Sequence, residues 1–159
     1  MSEPPNGRTG DAVSAAMEFI MRYPDVLDPS LVGTYPASAH AGGGYVWDAV
    51  LEYRVWCHPE RGAPDVAEGN DYYYPFATYQ GALEFPESSE GAEDPLALIL
   101  QEEFIDEPEV GRYVHVMERR LAEWPVNFLA RPRRTANTIP DFFAADALAN
   151  RLDIIRGLV

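Results

Sequence analysis

Arginines are the side chains in this chain whose spacing most clearly offers chemistry. Arg119 and Arg120 are followed by Arg131, Arg133 and Arg134, the last three within the run Arg-Pro-Arg-Arg. A guanidinium forks onto a carboxylate or phosphate through two parallel hydrogen bonds. These five residues are therefore the candidate anion-binding or cofactor-binding set. The competing role is pairing with the chain's own surplus of carboxylates.

The other reactive residue types are sparse. Cys57 and His58 have the types of a thiol nucleophile and its base. Neighbours on a strand point to opposite faces, however. Cys57 shares the phase of Leu51, Tyr53 and Val55 and reads as a buried structural residue, with His115 the remaining candidate base should a sheet bring it close. His40, His58 and His115 are too widely spaced for a metal motif, so no metal site is expected. Glu102 shares a strand face with Leu98, Leu100 and Phe104, where burial would raise a carboxyl pKa towards general-base work. A wet or paired position at a strand end is the ordinary alternative for Glu102 and for its neighbour Glu103.

Gly42, Gly43 and Gly44 form the one glycine cluster. A phosphate-cradling loop follows a strand and opens a helix. Here the glycines precede a strand, which predicts a flexible loop, with His40 and Tyr45 beside it as residues of a lid or ligand loop. Tyr72, Tyr73, Tyr74, Phe76 and Tyr79 make a dense aromatic patch. It serves either as a plug at a sheet edge or, through Tyr72, Tyr74, Phe76 and Tyr79, as a partner surface.

Composition narrows the classes. The chain has 159 residues, 47% of them hydrophobic, which suits one domain with a core of its own. Its net charge is −14, all twelve basic residues are arginine, and lysine is absent. Schiff-base chemistry on pyridoxal phosphate and a Walker A loop both require a lysine and are excluded. Global acidity argues against nucleic acid as a partner. A single cysteine rules out an internal disulfide framework. There is no signal-peptide pattern and no apolar run of membrane-spanning length, so a cytoplasmic protein, of bacterial origin by its arginine-rich composition, is expected. Residues 60–111 hold fourteen carboxylates against Arg61 alone, whereas residues 112–134 hold six arginines against Glu118 and Glu123.

The elements that must position these groups follow from periodicity. Residues 1–10 read as a flexible tail and residues 11–159 as a single domain. Val13, Ala16, Met17 and Ile20 predict a helix over residues 11–22, and residues 23–44 a long loop. Alternation over residues 50–57 predicts a half-buried strand. Thr78 caps a short helix limited by Pro86. Residues 96–105 predict a central strand, in a hairpin with a third strand over residues 112–124. Residues 126–129 read as a further short strand, and a helix is expected from residue 144 to its stop at Gly157. The fold class is α+β: a small mixed or antiparallel sheet of roughly three to four strands with helices packed on one face.

The run Tyr45-Val-Trp-Asp-Ala-Val-Leu-Glu-Tyr-Arg-Val-Trp-Cys-His-Pro, with Glu123-Trp-Pro-Val and Arg131-Pro-Arg-Arg, resembles a group of small bacterial proteins over nearly the whole chain. Some of them carry a GNAT-type N-acetyltransferase label. The resemblance implies a mixed sheet, acetyl-coenzyme A as cofactor and acetyl transfer to an amine. The GNAT pyrophosphate loop, Gln/Arg-x-x-Gly-x-Gly/Ala, has no counterpart after residues 96–105, where Glu107, Pro108 and Glu109 stand. Two expectations result. The first is a non-catalytic, cofactor-free domain that binds a ligand or a protein partner, including a second copy of itself. The alternative is an acetyl-CoA-dependent N-acetyltransferase. Neither involves a membrane.

Overall fold

A computed structural model describes residues 23–87 and 89–158. The expected tail and first helix lie outside the described residues. Among the described residues, seven strands and three α-helices follow in the order β1 (His40–Ala41), β2 (Ala49–Cys57), β3 (Tyr72–Phe76), α1 (Tyr79–Glu87), β4 (Leu96–Gln101), β5 (Phe104–Glu109), β6 (Arg112–Val116), β7 (Arg120–Pro125), α2 (Thr138–Phe143) and α3 (Arg151–Ile155). The α+β class holds. The sheet is larger than expected, with five strands in the order β1-β7-β4-β2-β3, and β5 and β6 form a separate two-stranded ribbon. β1 runs parallel to β7, and the other pairs are antiparallel.

The two strands expected over residues 96–105 and 112–124 are each broken once. Gln101 pairs with Arg120 in the main sheet, and Phe104 pairs with Val116 in the ribbon. The break falls at the charged pairs Glu102–Glu103 and Glu118–Arg119. Beyond it, Ile105 bridges to Gly44 rather than to β2. One long hairpin is thus bent over the glycine loop, and its far half closes a second hydrophobic cluster.

β2 is buried on both faces, not one, because α1 packs on one face of the sheet and residues 33–39 lie across the other. Its phase also shifts. A bulge between Val50 and Glu52 places Leu51 with Leu98 and Leu100, on the face opposite Tyr53 and Val55. The first face carries Tyr53, Val55, Ala97, Ile99, Ala122 and Trp124 and is covered by Tyr79 and Ala82 of α1. Residues 33–39 cover the second face. Pro36 and Ala37 accept hydrogen bonds from Arg54, the Gly33 amide donates to Glu52, and Tyr35 accepts from Tyr73. Helices therefore do not share one face: α2 and α3 pack on the ribbon, where Ile139, Phe142 and Ile155 meet Val46, Phe104 and Ile105. Burying aliphatic and aromatic side chains of this size stabilises each cluster by about 1.5–3 kcal/mol per residue.

Three local expectations are corrected. Residues 72–76 form an edge strand, paired through Tyr53–Phe76 to Cys57–Tyr72. Val126–Ala130 is a 3-10 helix, not a strand. That coil folds Phe128 back onto Trp124, with ring centroids 5.9 Å apart. The C-terminal helix expected from residue 144 to Gly157 is reduced to the short helix Arg151–Ile155, and a separate short helix, Thr138–Phe143, precedes that stretch.

Candidate functional site

Residues 40–45 form one wall of an open cleft of about 380 Å³. The wall is fixed from below. The Gly43 carbonyl accepts hydrogen bonds from the Gln101 amide at 3.0 Å and the Trp124 indole at 3.1 Å. The Gly42 amide donates to the Glu123 carbonyl at 3.0 Å. Gly42, Gly43 and Gly44 all have φ between 68° and 84°, a region that side-chain-bearing residues rarely adopt. Only at Gly44 is space equally decisive: a Cβ would meet the Gln101 side-chain amide. The loop expected to be flexible is thus held by its carbonyls. The exposed Gly43 amide donates to no group among the described residues.

Arg120, Arg131 and Arg156 line the same cleft. Arg120, at the start of β7, donates to Gln101 Oε1 at 2.6 Å and stacks 3.9 Å above the Phe104 ring. Arg131 follows the 3-10 helix, and its guanidinium lies 4.1 Å from the Phe128 ring, 5.0 Å from Trp124 and 5.8 Å from Tyr45. Arg156, exposed just past α3, lies 5.8 Å from the Tyr45 ring. Among the described residues, none of these three pairs with a carboxylate. Partial burial pushes the pKa of both Arg120 and Arg131 down. Burial thus penalises charges that cannot be surrendered near neutral pH, and a bound anion offsets that penalty.

Tyr45 anchors the floor at φ 64°, an uncommon angle for a bulky residue. Its hydroxyl donates to Glu107 Oε1 at 2.6 Å. Burial, and then the Glu107 carboxylate, push the phenol pKa up, while Arg156 works against the rise. Glu107 is held below the usual carboxylate range, first by the Tyr45 hydroxyl and then by the Gly111 amide. Of the two carboxylates lining the cleft, Glu107 is therefore engaged by neutral donors, and Asp106 is exposed.

The five arginines singled out by sequence divide. Arg120 and Arg131 enter the cleft. Arg119 pairs with Glu102 at 3.4 Å, and Arg134 bridges Asp48 at 2.8 Å and Glu103 at 3.0 Å. Arg133 donates to the Asp48 carbonyl and lies over the Trp47 ring. Arg156 was not singled out, and its one signal is its position in the last turn before Gly157. The aromatic patch divides too. Tyr72, Tyr74 and Phe76 lie on edge strand β3, with Tyr74 42% exposed. Tyr79 is buried against Tyr23 and Tyr53.

Cys57 is buried, and burial pushes its thiol pKa up. His115 lies instead in the ribbon, 2.5 Å from Glu103. Glu102 is exposed and carries Arg119. Among the described residues, no helix is long and apolar enough to cross a membrane.

No family model matches this chain, and no curated protein or solved structure matches it.

Proposed function

We propose that this protein is a ligand-binding domain for a small anion or an anionic group of a small molecule, a phosphate or carboxylate, held in the cleft between the Gly42–Gly44 loop and Arg120, Arg131 and Arg156. One observation carries the reading. In a chain with 26 carboxylates and 12 arginines, three guanidiniums, those of Arg120 and Arg131 partly buried and that of Arg156 exposed, converge on one cleft without a carboxylate partner among the described residues. Each would offer forked donors to the ligand, and the Gly43 amide adds a neutral one. The aromatic faces of Tyr45, Trp124 and Phe128 hold Arg131 without neutralising it. The acetyltransferase alternative would put coenzyme A phosphates on these same arginines, so acetyl-coenzyme A belongs among the ligands tested.

Titration calorimetry of the purified chain with phosphate, pyrophosphate, a dicarboxylate, coenzyme A and acetyl-coenzyme A tests this. Binding of at least one anion is expected, weakened by at least about tenfold, or 1.4 kcal/mol, in Arg131→Ala and in Arg156→Ala. Arg119→Ala should bind as the wild type does. Equal loss in all three variants, or no heat from any anion at millimolar concentration, would overturn the reading. Preference for acetyl-coenzyme A over coenzyme A would move it towards acetyl transfer.

A further inference from the structure

A second constellation lies past the other end of β2, about nine strand residues or roughly 30 Å from the cleft. His58 is 8% exposed. Its Nδ1 lies 3.0 Å from Asp71 Oδ1 and its Nε2 lies 2.9 Å from Glu93 Oε1. Neither ring nitrogen is aligned to hydrogen-bond with anything among the described residues. A neutral imidazole has one N–H and one lone pair. With a carboxylate oxygen against each nitrogen, at least one contact sets lone pair against lone pair.

We propose that His58, Asp71 and Glu60 bind a divalent transition-metal ion, Zn²⁺ or Mn²⁺. One ligand atom from each of the three lies within 4.8 Å of the others. Ligands bonded at about 2.0–2.2 Å sit about 3.0–3.4 Å from one another around such an ion, and the Nδ1–Oδ1 separation already has that value. Glu60 is exposed on the 3-10 turn Pro59–Arg61 and closes the set by a side-chain rotation. The remaining nitrogen faces Glu93, which Arg61 holds at 3.1 Å. A small rotation of the ring on metal binding would let that nitrogen donate to Glu93, as the second nitrogen of a ligating imidazole does to a carboxylate.

The backbone here is built rather than loose. The His58 amide donates to Gly91, and its carbonyl accepts from Arg61 and Ala63. One nitrogen and two carboxylate donors suit Zn²⁺ or Mn²⁺ better than Mg²⁺ or Ca²⁺. Three protein ligands leave a coordination position for water or a ligand atom.

Equilibrium dialysis of chelator-treated full-length chain against Zn²⁺, Mn²⁺, Mg²⁺ or Ca²⁺, each at about 50 µM, with metal counted by atomic emission, tests the site. One Zn²⁺ or Mn²⁺ per chain is expected, with affinity at least about tenfold weaker in Asp71→Asn and Glu60→Gln. Both side chains are exposed, so circular dichroism should report an unchanged fold in these variants. No uptake by the wild type, or uptake by Asp71→Asn equal to that of the wild type, would overturn the proposal.

Discussion

Arg54 and Glu52 are fully buried side by side, an arrangement that must satisfy every charge it takes from water. Arg54 Nε lies 2.7 Å from Glu52, and its Nη1 lies 2.9 Å from Glu123. Its remaining donors reach the Pro36 and Ala37 carbonyls. Glu52 also accepts the Gly33 amide, and Glu123 the Trp56 indole. The gross attraction is largely offset by desolvation, so the network is weak evidence of net stability. Breaking it is another matter. Arg54→Ala leaves Glu52 charged and unpaired and frees residues 33–39 from the sheet. A loss of about 3–5 kcal/mol is expected in urea unfolding at neutral pH. Arg54→Met with Glu52→Leu should recover much of that loss, because similar-sized apolar groups tolerate the site. A double variant as unstable as the single one would mean that the loop depends on the arginine's hydrogen bonds rather than on charge balance.

At the scale of elements, the glycine loop is where backbone conformation and site geometry meet. Gly44 stands at φ 84°, with its missing Cβ position occupied by the Gln101 side chain and 3.0 Å from Arg120 Nη2. Gly44→Ala must distort the loop or push Gln101 and Arg120 away. A cost of about 1–3 kcal/mol is expected, together with loss of anion binding. Gly43→Ala meets only Arg120, at 3.4 Å, and should cost less. Equal thermal unfolding temperatures for wild type and Gly44→Ala would show that the loop rearranges freely. Sequence announced the glycines but not this role, because the partner that defines them, Gln101, lies on a strand 57 residues away. Local pattern placed the bounds of β2, the start of α1 and the first half of the strand expected over residues 96–105, since each is a short run bounded by turn residues. It failed where tertiary context decides. The bulge at Leu51 cannot be seen in a pattern that alternates without a break, and the bend at Glu102 is set by the Gly44–Ile105 bridge. Tyr72–Phe76 became a strand because it pairs with β2, despite its Pro75. Arg120 and Arg131 were legible as candidate residues, and the structure brings both to the cleft, whereas Arg156 required knowing that α3 ends beside Tyr45.

For the whole molecule, the uneven charge of the sequence becomes a pattern in space. The basic stretch 112–134 is tied to the acidic stretch 60–111 by Arg119–Glu102, Arg134–Glu103 and Arg112–Glu109. Arg120 and Arg131 are left out of that neutralisation and face the cleft with Arg156. An anion approaching this protein therefore meets a net charge of −14 at long range and guanidiniums only on contact. These two fields have different reach. The screening length is about 30 Å at 10 mM salt and about 8 Å at 150 mM, so added salt removes the long-range repulsion while leaving contacts at hydrogen-bond distance largely intact. The association rate constant for a phosphate ligand should therefore rise, by about two- to tenfold, over that range. This is opposite to the fall expected for an anion site on a basic protein. Stopped-flow fluorescence can read it, since Trp124 lies 5.0 Å from the Arg131 guanidinium. An association rate that falls with salt would mean that the ligand is captured on a positive surface outside the cleft, and would shift attention from Arg120, Arg131 and Arg156 to the exposed Arg133.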